Sequence, residues 1–267
     1  MGEYFPLIIF TLLINLCAGT FIVYALWQYS RLTDQESREQ TERLLMPTLL
    51  VGLGIAMLMS ATHLGKPFKF IQAFRNPGSM IAQEGIWSTI FLIILLVAVV
   101  FTLKNKRIPR LLYLTGSFVS VILLLVSSLA YVKAYGIPAW NHGVTVVYFF
   151  ASAALLGTSA VYTLEHAKRQ PKKSMAAILL VAIFCQLITA LAFKFQLQFN
   201  VMDVQLPSTL GLDIMRWVIG LFIPAAIAYT AWKEKWNSKY TAWSFILCIA
   251  VGEILSRVTF FIQGVHL

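Results

Sequence analysis

Residues 84–103 read EGIWSTIFLIILLVAVVFTL, a run of twenty residues in which Glu84 is the only charged side chain. An α-helix rises about 1.5 Å per residue, so a run of this length covers the roughly 30 Å hydrocarbon core of a bilayer. The stretch therefore predicts a membrane-spanning helix. The fold then depends on how many such runs the chain contains.

Working outward in both directions, we find seven more runs of similar length and hydropathy. The eight predicted spans are residues 7–27, 45–64, 84–103, 110–131, 144–164, 174–195, 211–232 and 240–262. No connector is long enough to form a separate soluble domain. Because backbone exposed to lipid must satisfy its hydrogen bonds internally, we predict an all-α integral membrane protein, a bundle of eight transmembrane helices forming one domain over residues 1–267.

Composition supports this class and excludes others. The chain is 59% hydrophobic and 12% charged, against about 45–50% and about 25% in soluble domains. The net charge of +10 does not indicate a nucleic-acid partner, because most of the cations lie in short connectors and the aromatic residues lie inside the apolar runs. The cysteines form no CxxC motif and no two histidines share a depth on two spans, so we expect no iron–sulfur cluster, haem or other metal in this chain.

The distribution of Lys and Arg predicts the orientation. Fourteen of the 21 cations lie in the first, third, fifth and seventh connectors, and five lie on the opposite side. The positive-inside rule then places those four connectors in the cytoplasm and both termini outside. The expected location is a bacterial inner membrane, with both termini in the periplasm.

Five ionisable residues are predicted to lie at the outer end of the spans. His63 closes the second span, Glu84 opens the third, Arg216 lies early in the seventh, and Glu253 and Arg257 lie four residues apart in the eighth. Ionisable groups in membrane helices are costly, so they are candidates for function. The topology predicts that all five could meet in one cavity in the outer half of the membrane.

Each of these residues also has a structural interpretation. Glu253 and Arg257 could form an internal i,i+4 ion pair, and Arg216 could extend to the outer interface. Glu84 could serve the dipole at a helix start, and His63 could cap a helix end. The sequence leaves these alternatives open.

Quinol oxidation is a reaction that suits a histidine, a carboxylate and arginines beside lipid. A quinol partitions into the bilayer and releases two protons with its two electrons. A histidine that titrates near neutrality can accept a hydroxyl proton, a carboxylate can relay it outward, and arginines can keep that carboxylate ionised. The segment 61–85 would then be the mouth of such a site.

Several motifs resemble the DmsC family, the membrane anchor subunit of the dimethyl sulfoxide reductase complex. The most specific is HLGKP at 63–67, with NPGS at 76–79 and Glu84 following. The likeness continues in CAGTFIVYAL at 17–26, IPAW at 137–140, Arg216, and GE-x-x-x-R at 252–257. It covers the whole chain.

The resemblance implies an enzyme subunit that oxidises menaquinol, contains no haem, and belongs to a heterotrimer. Electrons would pass to an iron–sulfur subunit carrying [4Fe–4S] clusters, and from there to a catalytic subunit with a molybdopterin cofactor. It implies that His63 and Glu84 act on the quinol, and Gly65 and Pro67 belong to the same segment. We expect five residues to bind quinol or relay protons: Gly65, Pro67, Arg216, Glu253 and Arg257.

Two other classes compete with this interpretation. One is a membrane subunit of the polysulfide or nitrite reductase type, for which more charged residues deep in the bundle would be expected. The other is a secondary transporter or a purely structural membrane protein. A transporter would show paired broken helices, whereas Pro224 is an isolated kink candidate.

Overall fold

The structure is a computed structural model, and the part of the chain that it describes is helical with no strand. It covers residues 4–29, 35–63, 76–167, 173–200, 207–233 and 239–264. The helices are α1 (Phe5–Tyr29), α2 (Gln35–His63), α3 (Met80–Leu103), α4 (Arg110–Val132), α5 (Gly143–Ala167), α6 (Lys173–Asn200), α7 (Leu210–Trp232) and α8 (Lys239–Ile262). All eight are long and apolar enough to cross a membrane, which confirms the predicted fold class.

Several boundaries differ from the sequence prediction, including the end of α6 at Asn200, five residues past the predicted span. Helix α2 begins at Gln35, ten residues before the predicted span, and so extends beyond the apolar run. Helix α3 begins at Met80, where Ser79 is the N-cap and its Oγ accepts a hydrogen bond from the Ala82 N–H at 3.1 Å. Glu84 therefore lies one turn inside the helix, because a serine cap and not the hydrophobic boundary sets the start.

Contacts divide the chain into two compact units, residues 2–130 and residues 131–267. The first unit holds α1 to α3 and nearly all of α4. The second unit begins at the end of α4 and holds α5 to α8. The expectation of a single domain over residues 1–267 stays a prediction.

The first unit is built around the Phe21 ring of α1. This ring meets Phe91 of α3 edge-on at 5.5 Å and lies 6.0 Å from the ring of Tyr113 on α4. Gly116 of α4 makes room for it, since a Cβ there would lie 2.4 Å from a carbon of the Phe21 ring. Helix α2 packs against both α1 and α3.

In the second unit α5 packs on α6 and α8, and α7 packs on α6 and α8. Helix α7 changes to a π-turn at Val218–Phe222, just before Pro224. Gly220 of this turn meets Gly252 of α8 backbone to backbone, so closely that a Cβ on Gly252 would lie 2.2 Å from Gly220 Cα. Only glycine at both positions allows this approach.

Candidate functional site

The first candidate site is a small groove beside Glu84 in the first unit. Its walls come from α1, α2 and α3. Its interior has room for about one water molecule, and the space reaches about 190 Å³ only when the open region outside it is counted. The lining residues are Phe10, Met57, Ser60, Glu84, Gly85 and Ser88. Phe10 and Met57 supply apolar lining, and Ser60, Glu84 and Ser88 supply two hydroxyls and a carboxyl group.

Two polar atoms of this groove have no hydrogen bond of ordinary geometry in the described chain, although Glu84 also interacts with the Ser127 side chain of α4. Glu84 is only 8% exposed, and its Oε1 has no hydrogen-bond partner among the described residues. The hydroxyl of Ser88, one turn further along α3, is buried without a partner in the same way. Buried polar groups are nearly always hydrogen-bonded, so these two atoms indicate a place where a ligand or water completes the structure.

The remaining residues of the HLGKP segment are only partly described. His63 is the last residue of α2, as the sequence predicted for the end of the second span. Its side chain, together with Gly65 and Pro67, lies outside the described part of the chain. Their approach to Glu84 therefore stays a prediction.

The second candidate site is a buried polar cluster in the second unit, formed around Glu253 on α8. Oε1 of Glu253 accepts a hydrogen bond from Gln186 Nε2 at 2.8 Å, and Oε2 accepts one from the Ser152 hydroxyl. Ser152 Oγ in turn accepts a hydrogen bond from Arg257 Nη2 at 2.9 Å. Ser152 therefore bridges the acid and the base.

This bridge replaces the direct i,i+4 ion pair that the sequence left open for Glu253 and Arg257. Nε and Nη1 of Arg257 have no hydrogen-bond partner among the described residues, and Nη2 is bonded to Ser152. The guanidinium carbon instead lies 4.3 Å from the centre of the Phe149 ring. Cation–π attraction compensates part of the burial cost of such a group.

Arg216 on α7 joins the same cluster through Tyr148. Its guanidinium carbon lies 5.2 Å from the centre of the Tyr148 ring, and that of Arg257 lies 5.7 Å from it. The Tyr148 hydroxyl bonds to Ser256. Arg216 is only 4% exposed, so its side chain is turned into the unit and does not extend to an interface.

The cluster has more positive than negative charge. Its ionisable members are two arginines and one glutamate, all at most 4% exposed. Nη2 of Arg216 and two nitrogens of Arg257 have no partner in the described chain. The cluster can therefore donate hydrogen bonds to water or to an acceptor oxygen.

A ladder of polar groups lies at the α7 start in the same unit. Lys194 Nζ lies 2.5 Å from Asp213 Oδ2, and the Thr209 hydroxyl donates to that same oxygen at 2.7 Å. Gln263 Nε2 donates to Thr209 at 2.9 Å. This ladder ties α6, α7 and the end of α8 together one turn from Arg216.

The structure thus brings three of the predicted residues together. Arg216, Glu253 and Arg257 share the cluster around Tyr148, whereas Glu84 belongs to the other compact unit. The single cavity predicted for all five residues remains a prediction.

Sequence reasoning missed the uncharged partners, because it searched for ionisable groups alone. Ser88, Tyr148, Ser152 and Gln186 all lie within apolar runs, where a hydroxyl or amide passes as a tolerated polar residue. Helical spacing could have found two of them. Ser88 follows Glu84 by four residues, and Ser152 follows Tyr148 by four.

Comparison with known proteins identifies the chain. No curated protein matches it significantly. The family described as DMSO reductase anchor subunit (DmsC) matches residues 1–261, which is nearly the whole length. This family implies a membrane anchor subunit of a DMSO reductase complex, a molybdoenzyme, and the eight apolar helices fit that role. The chain belongs to the DmsC family of DMSO reductase anchor subunits.

Proposed function

We propose that the chain oxidises menaquinol at a site formed by the Glu84 groove and the HLGKP segment. The observation that carries this proposal is the buried, unpartnered Oε1 of Glu84 beside an apolar wall. A quinol presents an apolar ring and a hydroxyl donor, which are the two features that such a groove accepts. The Ser88 hydroxyl offers a second hydrogen-bonding atom on the same helix face.

The reaction releases two electrons and two protons from each quinol and leaves the quinone. His63 accepts one hydroxyl proton and Glu84 accepts or relays the other, since both are proton-transfer groups at the same membrane end of α2 and α3. Gly65 and Pro67 shape the segment that follows His63. These roles rest on the HLGKP motif and on the position of Glu84, one turn inside α3.

The cluster of Arg216, Glu253 and Arg257 is proposed to assist in proton release or quinol binding. Along α8, Glu253 lies nine residues before the helix end, about 14 Å, and Arg257 lies five residues before it, about 8 Å. The unpartnered guanidinium nitrogens are positioned to bind water between Glu253 and the polar ladder at the α7 start.

Electrons from the quinol pass to an iron–sulfur subunit with [4Fe–4S] clusters and then to a molybdopterin-containing catalytic subunit, which together with this chain form a heterotrimer. We place these partners on the periplasmic side of the inner membrane, as the cation distribution predicts. Protons are then released and consumed on the same side. The reaction moves no net charge across the membrane.

The direct test replaces Glu84 with Gln and measures turnover and binding of a fluorescent quinol analogue in the assembled complex. We expect turnover to fall at least tenfold and the analogue to bind more weakly, because the acceptor of the hydroxyl proton is lost. Glu165→Gln, at a buried acid near the end of α5 in the second unit, is the matched control. Unchanged affinity and turnover in Glu84→Gln would refute the site.

The role of His63 is tested separately, because its side chain lies outside the described part of the chain. His63→Ala should abolish quinol-linked turnover while the complex still assembles. Normal turnover would remove its role as proton acceptor. Sidedness is tested in sealed vesicles, where electron transfer should generate no membrane potential, and a measured potential would contradict the proposed proton release.

A further inference from the structure

We propose that the first unit binds one anionic phospholipid at the end of α3, in a groove between α2 and the α3–α4 loop. The groove is shallow, with about 170 Å³ of space when the open region in front of it is counted, and its lining residues are Glu39, Glu42, Arg43, Thr102, Asn105 and Lys106. It lies at the end of α3 away from Glu84. The proposal is independent of quinol oxidation.

The loop that forms one wall is held in a defined shape. Helix α3 ends with Asn105 in the left-handed region, at φ 54°. The Lys106 N–H bonds to Phe101 O at 2.9 Å and the Asn105 N–H bonds to Thr102 O at 3.1 Å, the pattern of a Schellman motif. The Ile108 side chain is only 2% exposed, so it anchors the loop to the interior of the unit. A preformed wall reduces the entropy lost on binding.

Exposed cations surround this wall. Five cations are exposed at this end of the unit: Arg43, Lys104, Lys106, Arg107 and Arg110. Arg43 and Lys106 line the groove itself, one from α2 and one from the loop. Two cations from different elements can bind the two sides of one phosphate.

The buried acid of the groove does not oppose this charge. Oε1 of Glu42 accepts hydrogen bonds from Arg38 Nε and from the Tyr113 hydroxyl, each at 2.6 Å. Glu42 is 2% exposed, so its negative charge is held within the unit and is paired there with Arg38. Glu39 is half exposed and remains the one acid at the rim of the groove.

The surface next to the groove is suited to acyl chains. Leu44 follows Arg43 and is 60% exposed, Leu103 at the end of α3 is 74% exposed, and Leu111 at the start of α4 is 69% exposed. In a membrane-spanning chain such leucines face lipid. An occupant with a phosphate and an adjacent hydrocarbon chain satisfies both surfaces, whereas free phosphate satisfies one. We therefore assign the groove to an anionic phospholipid.

The test measures lipid retention by native mass spectrometry on the full chain, after exchange into nanodiscs that contain phosphatidylglycerol and phosphatidylethanolamine. We expect one phosphatidylglycerol to stay bound to the wild-type chain. The Arg43→Gln, Lys106→Gln double variant should lose it, with affinity lower by about 25-fold, because each interfacial cation contributes about fivefold. Glu39→Gln should bind the lipid more tightly.

The matched control is the Lys173→Gln, Lys233→Gln double variant. It removes two exposed cations from the second unit and should retain the lipid. If the double variant does not fold, the Lys106→Gln single variant replaces it, because Lys106 lies in an exposed loop. Its affinity for phosphatidylglycerol should fall about fivefold. Equal retention by the groove variant and the wild type would overturn the proposal. Equal retention of phosphatidylethanolamine would also overturn it. Full competition by inorganic phosphate would overturn it too, because the groove would then bind phosphate without the lipid.

Discussion

Each compact unit buries one glutamate within a predicted span, and the two glutamates differ in how they are bonded. Glu84 in the first unit leaves Oε1 without a partner beside an open groove. Glu253 in the second unit has both oxygens occupied, one by Gln186 and one by Ser152. The unsatisfied carboxylate is available to a ligand, whereas the satisfied one holds its own surroundings in place. Burial alone therefore does not identify a ligand-binding carboxylate.

The comparison is tested most strongly by replacing each acid with leucine. Glu253→Leu leaves Arg216 and Arg257 buried without an opposing charge, and it should lower the free energy of unfolding by about 3–5 kcal/mol. Glu84→Leu removes a carboxylate that has one oxygen without a hydrogen bond, so it should lower the free energy of unfolding much less. Unfolding in mixed micelles measures both values. Equal losses in the two variants would contradict the distinction.

The glycine contact that positions Glu253 gives the next largest effect. A Cβ on Gly252 would lie 2.2 Å from Gly220 Cα, so the two helix backbones must separate. Gly252→Ala should cost about 1–3 kcal/mol of unfolding free energy, the range for overpacked cores. Gly54→Ala is the matched control, since nothing lies within 4 Å of a Cβ there. A neutral Gly252→Ala would show that α7 and α8 can adjust freely.

A smaller loss of unfolding free energy is expected at the aromatic contact between Trp140 and Phe260. Trp140 stacks on Phe260 at 5.2 Å, and its Nε1 donates a hydrogen bond to Phe260 O at 3.0 Å. Trp140→Phe keeps an aromatic ring but loses the donor, and it should lower the unfolding free energy by about 1 kcal/mol or somewhat more. The measurement is thermal unfolding followed by far-UV circular dichroism, which reports helix content. An unchanged midpoint would indicate that this hydrogen bond is not formed.

The smallest effect is expected at the polar ladder. Lys194 is 27% exposed, so its pairing with Asp213 is partly screened. Lys194→Gln should cost at most about 1 kcal/mol, and the difference from wild type should shrink in 1 M salt. Asp213→Asn should cost more, because the Asp213 carboxylate is buried and also accepts from Thr209. A salt-independent loss in Lys194→Gln would mean that packing and not charge is responsible.

The helices were predictable because hydropathy is a local property of the chain. A run of about 20 apolar residues must be helical and must span, whichever neighbours it packs against. The eight predicted spans accordingly match the eight helices. The largest exceptions lie at Gln35, Met80 and Asn200, where polar residues or a serine cap extend the helix past the apolar run.

The sequence by itself determined the fold class and the number of spans, and its motifs indicated the family. It singled out Glu84, Arg216, Glu253 and Arg257, but not the buried acids Glu42 and Glu165. The tertiary structure decided which residues became partners. It showed that Ser152 bridges Glu253 and Arg257, that Tyr148 lies beside two arginines, and that Oε1 of Glu84 has no protein partner in the described chain. The physical reason is that spanning depends on the composition of one segment, whereas pairing depends on how neighbouring helices are rotated and how closely they approach. At Gly220 and Gly252 that approach is set by the absence of two side chains, which no hydropathy pattern records.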